Sequence, residues 1–153
     1  MLNERGLADE LNDLMATETR SLVRHVSGAA TPYVTARTYK VWKAFGRMSE
    51  LSERHAAELS ALIDRLDLPP RSIPYSTDVA RFHFTSIESL LPPLIEEKHK
   101  QIAAYQRAID HARSDPALLR ELEDLLGENE AQLRELQEHQ AMLAAPATAP
   151  PVP

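Results

Sequence analysis

Six polar side chains stand out in this sequence because each interrupts a stripe of apolar residues at helical spacing. Glu18, for example, lies within the stripe that Leu7, Leu11, Leu14 and Leu22 form. The other five are Ser52, His55, Lys98, Asn129 and Gln132. Burying one such group without a partner costs roughly 2–7 kcal/mol. We therefore expect the six to meet in one layer, as ligands of a metal or as a hydrogen-bond network.

Composition limits the classes of function. The chain has 153 residues, no cysteine and a net charge of −6. The missing cysteine excludes disulfides, thiolate metal sites and cysteine nucleophiles, and the negative charge argues against binding to nucleic acid. The polar start and the absence of a long apolar run predict neither a secretory signal nor a membrane span. We expect one cytoplasmic globular domain.

Hydrophobic periodicity predicts four long amphipathic helices that position these side chains. They cover about residues 3–26, 35–68, 86–113 and 116–143. Gly28 and Pro32 follow the first helix, and Pro69 follows the second. Pro92 and Pro93 either kink the third helix or mark its first turn.

The connections predict how the helices are arranged. Residues 69–85 show no helical period and are long enough to travel the length of a bundle, so the second and third helices are expected to be parallel. The other two connections are short. The predicted fold is an all-α four-helix bundle over residues 1–143, with a long crossover between helices two and three. The Ala/Pro-rich tail, 144–153, is predicted to be disordered.

Local sequence adds a resemblance to a known family. The segment LNDLMATE at 11–18 resembles the first helix of bacterioferritins, and RHAAEL at 54–59, followed by LDLP at 66–69, resembles their second helix. The run from Lys98 to Tyr105 is similar to a third helix of the same superfamily. Over about residues 5–142 the chain thus resembles the ferritin-like superfamily, which implies a ferritin-like four-helix bundle.

The resemblance also implies where a di-iron centre would lie. That centre takes one glutamate from each of helices one and three, and a Glu-x-x-His pair from each of helices two and four. Glu18 and His55 match two of the six positions. Glu97 adjoins the third-helix position but is rotated by about 100° around the helix. The remaining four positions fall on Ser52, Lys98, Asn129 and Gln132.

Three functional hypotheses remain open at this point. We favour a non-catalytic, metal-free bundle or interaction module that has lost the di-iron centre. In it Lys98 neutralises Glu18 and no cofactor is needed, although Lys98 could instead extend to the rim along its aliphatic stem. Such a bundle is expected to form a homodimer through helices one and two. The sequence does not identify a different protein that it would bind. The second hypothesis is an atypical ferroxidase or oxidase whose iron is held by Glu18, His55 and neighbouring glutamates such as Glu53 and Glu97. The third is a bundle that binds a small ligand.

Overall fold

The described part of the chain contains five helical segments and the connections between them. The computed structural model describes residues 4–28, 32–73 and 85–146. The segments, in chain order, are α1 (Glu4–Thr19), α2 (Leu22–Gly28), α3 (Tyr39–Arg65), α4 (Ile87–His111) and α5 (Pro116–Ala144). None of these helices is long and apolar enough to cross a lipid bilayer.

Two apolar clusters occupy the two ends of the bundle. The lower cluster joins the start of α1, the second halves of α3 and α4, and the start of α5; its members include Leu11, Leu59, Tyr105 and Leu118. The upper cluster joins α2, the first halves of α3 and α4, and the end of α5; its members include Val26, Phe45, Leu91 and Leu136. Because the second halves of α3 and α4 share one cluster, these helices are parallel. The predicted all-α four-helix bundle with a long crossover is confirmed.

The first predicted helix is broken in two, so the expectation of one continuous helix was wrong. The break lies at residues 20–21, between α1 and α2. Side chains satisfy the backbone groups that the break exposes: the Glu97 carboxylate accepts from the Leu22 amide at 3.0 and 3.1 Å, and the Arg24 guanidinium donates to the Thr19 carbonyl at 3.0 Å. Apolar periodicity continues through the break, so the sequence alone gave no sign of it.

The second long helix is shorter than predicted. It begins at Tyr39, not at residue 35, because Thr35 and Thr38 form a hydrogen-bonded turn just before it. It ends at Arg65, and Asp67 follows with a φ of 52°, a left-handed conformation that stops a helix.

Both prolines of the third predicted helix lie inside α4. The helix begins at Ile87 after Ser86, whose hydroxyl accepts from the Ser89 amide at 3.2 Å. Pro92 and Pro93 therefore do not mark its first turn.

Asn12 fixes the beginning of the long crossover against α1. Its side-chain amide donates to the Pro69 carbonyl at 3.0 Å and accepts from the Arg71 amide at 2.8 Å. Residues 74–84 of the crossover and 147–153 of the predicted tail lie outside the described residues.

We expect Asn12→Ala to lower the free energy of unfolding by roughly 1–3 kcal/mol, because it removes both partners of the crossover backbone. Hydrogen exchange at the Arg71 amide should accelerate in the same variant. The exposed neighbour Asp9 supplies a matched control, Asp9→Ala, which should change neither quantity. An unchanged exchange rate at Arg71 in Asn12→Ala would contradict this role.

Candidate functional site

A buried polar layer separates the two apolar clusters and draws residues from all four long helices of the bundle. Each of the six residues singled out in the sequence has a relative exposure of 5% or less. Glu18 comes from α1, Ser52 and His55 come from α3, Lys98 comes from α4, and Asn129 and Gln132 come from α5. Lys98 is itself 5% exposed, so it does not extend to the rim.

The Lys98 ammonium is held by three carbonyl oxygens. Its Nζ donates to Gln101 Oε1 at 2.7 Å, Asn129 Oδ1 at 2.9 Å and Gln132 Oε1 at 2.7 Å. Burial lowers the pKa of Lys98, while the negative charges of Glu18 and Glu97 oppose that shift. An ammonium has three N–H donors, whereas a neutral amine has only two. Three acceptors around Nζ therefore select the charged form.

Glu18 is the acceptor at the centre of the layer. Its Oε1 accepts from the Tyr105 hydroxyl at 2.8 Å, from His55 Nδ1 at 3.2 Å and from Asn129 Nδ2 at 3.3 Å. Burial alone would raise the pKa of Glu18, but the His55 hydrogen bond and the Lys98 charge outweigh it, so this pKa lies below its usual value. Glu18 is accordingly a carboxylate at neutral pH.

Asn129 connects the buried cation to the buried anion. Its oxygen accepts from Lys98, and its nitrogen donates to Glu18 and to the Leu125 carbonyl. No ion pair within 4.0 Å joins Lys98 to Glu18 in the described segments. The direct neutralisation expected from the sequence is therefore replaced by a contact through one amide, because Gln101 and Gln132 also hold the ammonium on the α4–α5 side.

His55 lies between two carboxylates. Its Nδ1 faces Glu18, and its Nε2 lies 2.5 Å from Glu128 Oε2. Burial alone would lower the pKa of His55, but its bonds to both carboxylates raise it above 6.5 overall. Glu128 is 42% exposed and also accepts from Arg54 at 2.6 Å. A line of charged groups thus leads from the buried Glu18 to the surface.

Glu97 does not join this line. Both of its carboxylate oxygens bind the Leu22 amide at the start of α2, as described above. Burial raises the pKa of Glu97 to about 7, despite that hydrogen bond and the nearby Lys98 charge. The side chain that the sequence offered as a possible third metal ligand therefore caps a helix.

Three residues of the layer were not assigned to it from the sequence. Gln101 lies one turn after Lys98, and Tyr105 lies one turn further on the same face, a spacing that could have identified both. Glu128 adjoins Asn129 in the sequence, and its half-exposed side chain bends back to His55. Ser52 Oγ has no hydrogen-bond partner among the described residues, so burial alone places Ser52 in the layer.

The described residues contain no group of three or more histidine, aspartate or glutamate side chains arranged to hold a metal ion. What the layer does contain is the Lys98 ammonium and the imidazole of His55, whose pKa is raised, together with the carboxylates of Glu18 and Glu128. This arrangement can hold and relay protons between the core and the surface. It can also fix the four helices in register.

Comparison with known proteins supports the fold. No family model and no curated protein sequence matches the chain. One matching solved structure is described as the crystal structure of ferritin-like, diiron-carboxylate proteins from Bacillus anthracis str. Ames. It superposes with a TM-score of 0.76 at 18% sequence identity, over 92% of this chain and 99% of the other. At that identity the likeness establishes the ferritin-like fold and confirms the structural part of the resemblance seen in the sequence.

We expect His55→Gln to destabilise the protein by about 1–3 kcal/mol at pH 6, because it removes the two ring nitrogens that face the Glu18 and Glu128 carboxylates. The raised pKa of His55 means that its stabilisation is complete below pH 6.5 and is lost as the pH rises through the folded-state pKa. The gap between wild type and variant should therefore narrow above pH 6.5 in denaturant titrations. The control is His99→Gln at an exposed position. A gap that stays constant up to pH 10 would contradict a protonated His55.

Proposed function

We propose that this protein is a metal-free, non-catalytic ferritin-like bundle in which the ammonium of Lys98 has taken the place of the iron charge. The observation that carries this proposal is the set of three carbonyl oxygens around Lys98 Nζ. Because all three of its donors are bonded, the Lys98 ammonium is held firmly in the layer. Lys98 occupies the position where the resemblance to the superfamily puts a metal-bridging glutamate.

Electrostatics supports the exclusion of a divalent ion. At an effective dielectric constant of 20, a divalent cation 4 Å from an ammonium is repelled by about 8 kcal/mol. Only Glu18 among the six family positions would offset this with a carboxylate. One carboxylate against one ammonium leaves no net negative charge for two metal ions, so the donor set does not fit a di-iron centre.

The remaining donors support the same conclusion. Both nitrogens of His55 face carboxylates, and a protonated imidazole has no lone pair for a metal. The oxygens of Asn129 and Gln132 are directed at Lys98, and amides are weaker ligands for iron than carboxylates. The oxidase hypothesis also needs neighbouring glutamates such as Glu53 and Glu97. The Glu97 carboxylate is engaged by the Leu22 amide, and Glu53 pairs with Arg24 at 3.0 Å.

A bundle without a catalytic site at its centre is suited to bind other proteins through its surface. We extend the proposal to a helical interaction module that forms a homodimer through its first two long helices, here α1 with α2, and α3. Tyr39 at the start of α3 is 53% exposed, which supports an apolar contact there. Analytical ultracentrifugation of wild type and Tyr39→Glu tests this part; a wild-type monomer at micromolar concentration would end it.

Protein purified without chelators from iron-supplemented cells should contain far less than one iron per chain by elemental analysis. Added ferrous ions should oxidise at the rate of buffer alone, because the layer provides no oxidation site. The control restores all six ligand types with Ser52→Glu, Lys98→Glu, Asn129→Glu and Gln132→His, and should gain iron. Two iron ions per wild-type chain would refute the proposal. Oxygen-dependent oxidation that Glu18→Gln with His55→Gln abolishes would establish the oxidase instead.

Lys98→Met keeps the apolar stem but removes the charge and its three donors. We expect the free energy of unfolding at pH 7 to fall by roughly 3–5 kcal/mol, as is usual when one partner of a buried charged network is removed. The loss should shrink as the pH falls toward 4, because burial raises the pKa of Glu18 once the Lys98 charge is removed, so the variant can protonate Glu18. Lys100→Met, at an exposed position two residues after Lys98 and on another face of α4, is the matched control. Equal stability of Lys98→Met and wild type at pH 7 would rule out a structural role for the ammonium.

A further inference from the structure

We propose that the carbonyl oxygens of Gln101, Asn129 and Gln132 form a receptor for a primary ammonium group, with Lys98 as its built-in ligand. The inference rests on the proposed function, because such a receptor requires a layer without metal ions. It assigns a ligand class to this site: a primary alkylammonium ion, recognised by three N–H donors and one positive charge.

The stereochemistry matches that ligand class. The three Nζ–oxygen distances, 2.7, 2.9 and 2.7 Å, are those of charge-assisted hydrogen bonds. Each N–H of the ammonium has its own oxygen, so a neutral alcohol or an ammonium without N–H groups would leave acceptors unpaired. Leaving a buried acceptor unpaired costs about 1–3 kcal/mol, which provides the discrimination.

Two of the three carbonyl groups are held in place by contacts that do not involve Lys98. Asn129 Nδ2 donates to Glu18 and to the Leu125 carbonyl, and Gln101 Nε2 donates to the Thr17 carbonyl at 3.4 Å. Each contact turns the oxygen of the same amide toward the ammonium. The receptor is therefore expected to persist when the lysine side chain is removed.

Glu18 supplies the charge that makes the receptor specific for a cation. It is fully buried and is linked to the receptor through Asn129. Without Lys98 the carboxylate would lose one of the two basic side chains, Lys98 and His55, that offset its burial. A free cation that enters the layer restores that balance, so positive charge as well as shape should be required.

The size of the ligand follows from the side chain it replaces. Lys98→Ala removes three methylene carbons and the nitrogen, the same four heavy atoms as propylammonium. Small engineered cavities in protein cores do bind small molecules of matching shape. The variant thus converts the tethered ligand into an exchangeable one.

The experiment is chemical rescue of full-length Lys98→Ala, followed by thermal unfolding at pH 7. Propylammonium chloride should raise the Tm with the logarithm of its concentration, by roughly 3–6 °C for each tenfold increase above the dissociation constant. At the same ionic strength, potassium chloride, tetramethylammonium chloride and 1-propanol should give no such rise in the Tm. Wild type and Lys100→Ala should not respond to propylammonium.

A second variant ties the rescue to the receptor. Adding Asn129→Leu to Lys98→Ala removes one oxygen and the link to Glu18, and it should abolish the response. Should Lys98→Ala fail to fold alone, recovery of helical circular dichroism on refolding with propylammonium, and not with 1-propanol, supports the receptor. Equal recovery, or none, with the two compounds overturns it.

The wild-type protein provides a measurement that needs no rescue. Nitrogen-15 NMR at pH 7 should show a Lys98 Nζ signal coupled to three slowly exchanging protons, absent in Lys98→Met. A neutral amine at pH 7, or rescue of Lys98→Ala by potassium or tetramethylammonium as strong as by propylammonium, would refute the receptor. None of these outcomes depends on iron analysis, so failure of the receptor is distinguishable from failure of the metal-free proposal.

Discussion

The burial of the Lys98 ammonium is the constraint on which the rest of the polar layer depends. A buried cation is tolerated only when its donors are satisfied and a negative charge lies nearby. Gln101, Asn129 and Gln132 supply the acceptors, and Glu18 supplies the charge through Asn129. The Glu18 carboxylate in turn raises the pKa of His55, and Glu128 at the surface acts on His55 in the same direction.

The apolar clusters and the polar layer contribute to the fold in different ways, the clusters through packing and the layer through directional bonds. The two apolar clusters above and below it contain most of the buried apolar side chains of the described residues and supply the hydrophobic stabilisation. The layer connects α1, α3, α4 and α5 by directional bonds that a shift of one helical turn would break. We interpret its function as fixing the register of the bundle, a role for which buried polar groups are known. Glu97 of α4 also caps α2 at the nearby helix break, and this bond likewise fixes α4 relative to α2.

The sequence predicted the fold well because four long apolar stripes and one long irregular connection leave few alternatives. It also identified the layer, since polar residues within such stripes must be buried. It did not predict the break after Thr19, because the group that caps α2 comes from Glu97, far away in the chain. Nor did it reveal that Asn129 stands between Lys98 and Glu18, or that Glu128 bends toward His55, since side-chain rotamers decide both contacts.

The central claim is that an ammonium, not a metal ion, occupies the middle of this bundle. The most direct test is a crystal structure of the protein grown with excess ferrous iron, with anomalous diffraction recorded at the iron absorption edge. The account predicts no anomalous peak in the layer and Lys98 Nζ within hydrogen-bond distance of the three amide oxygens. Two anomalous peaks beside Glu18 and His55, with Lys98 displaced from the carbonyl groups, would contradict it.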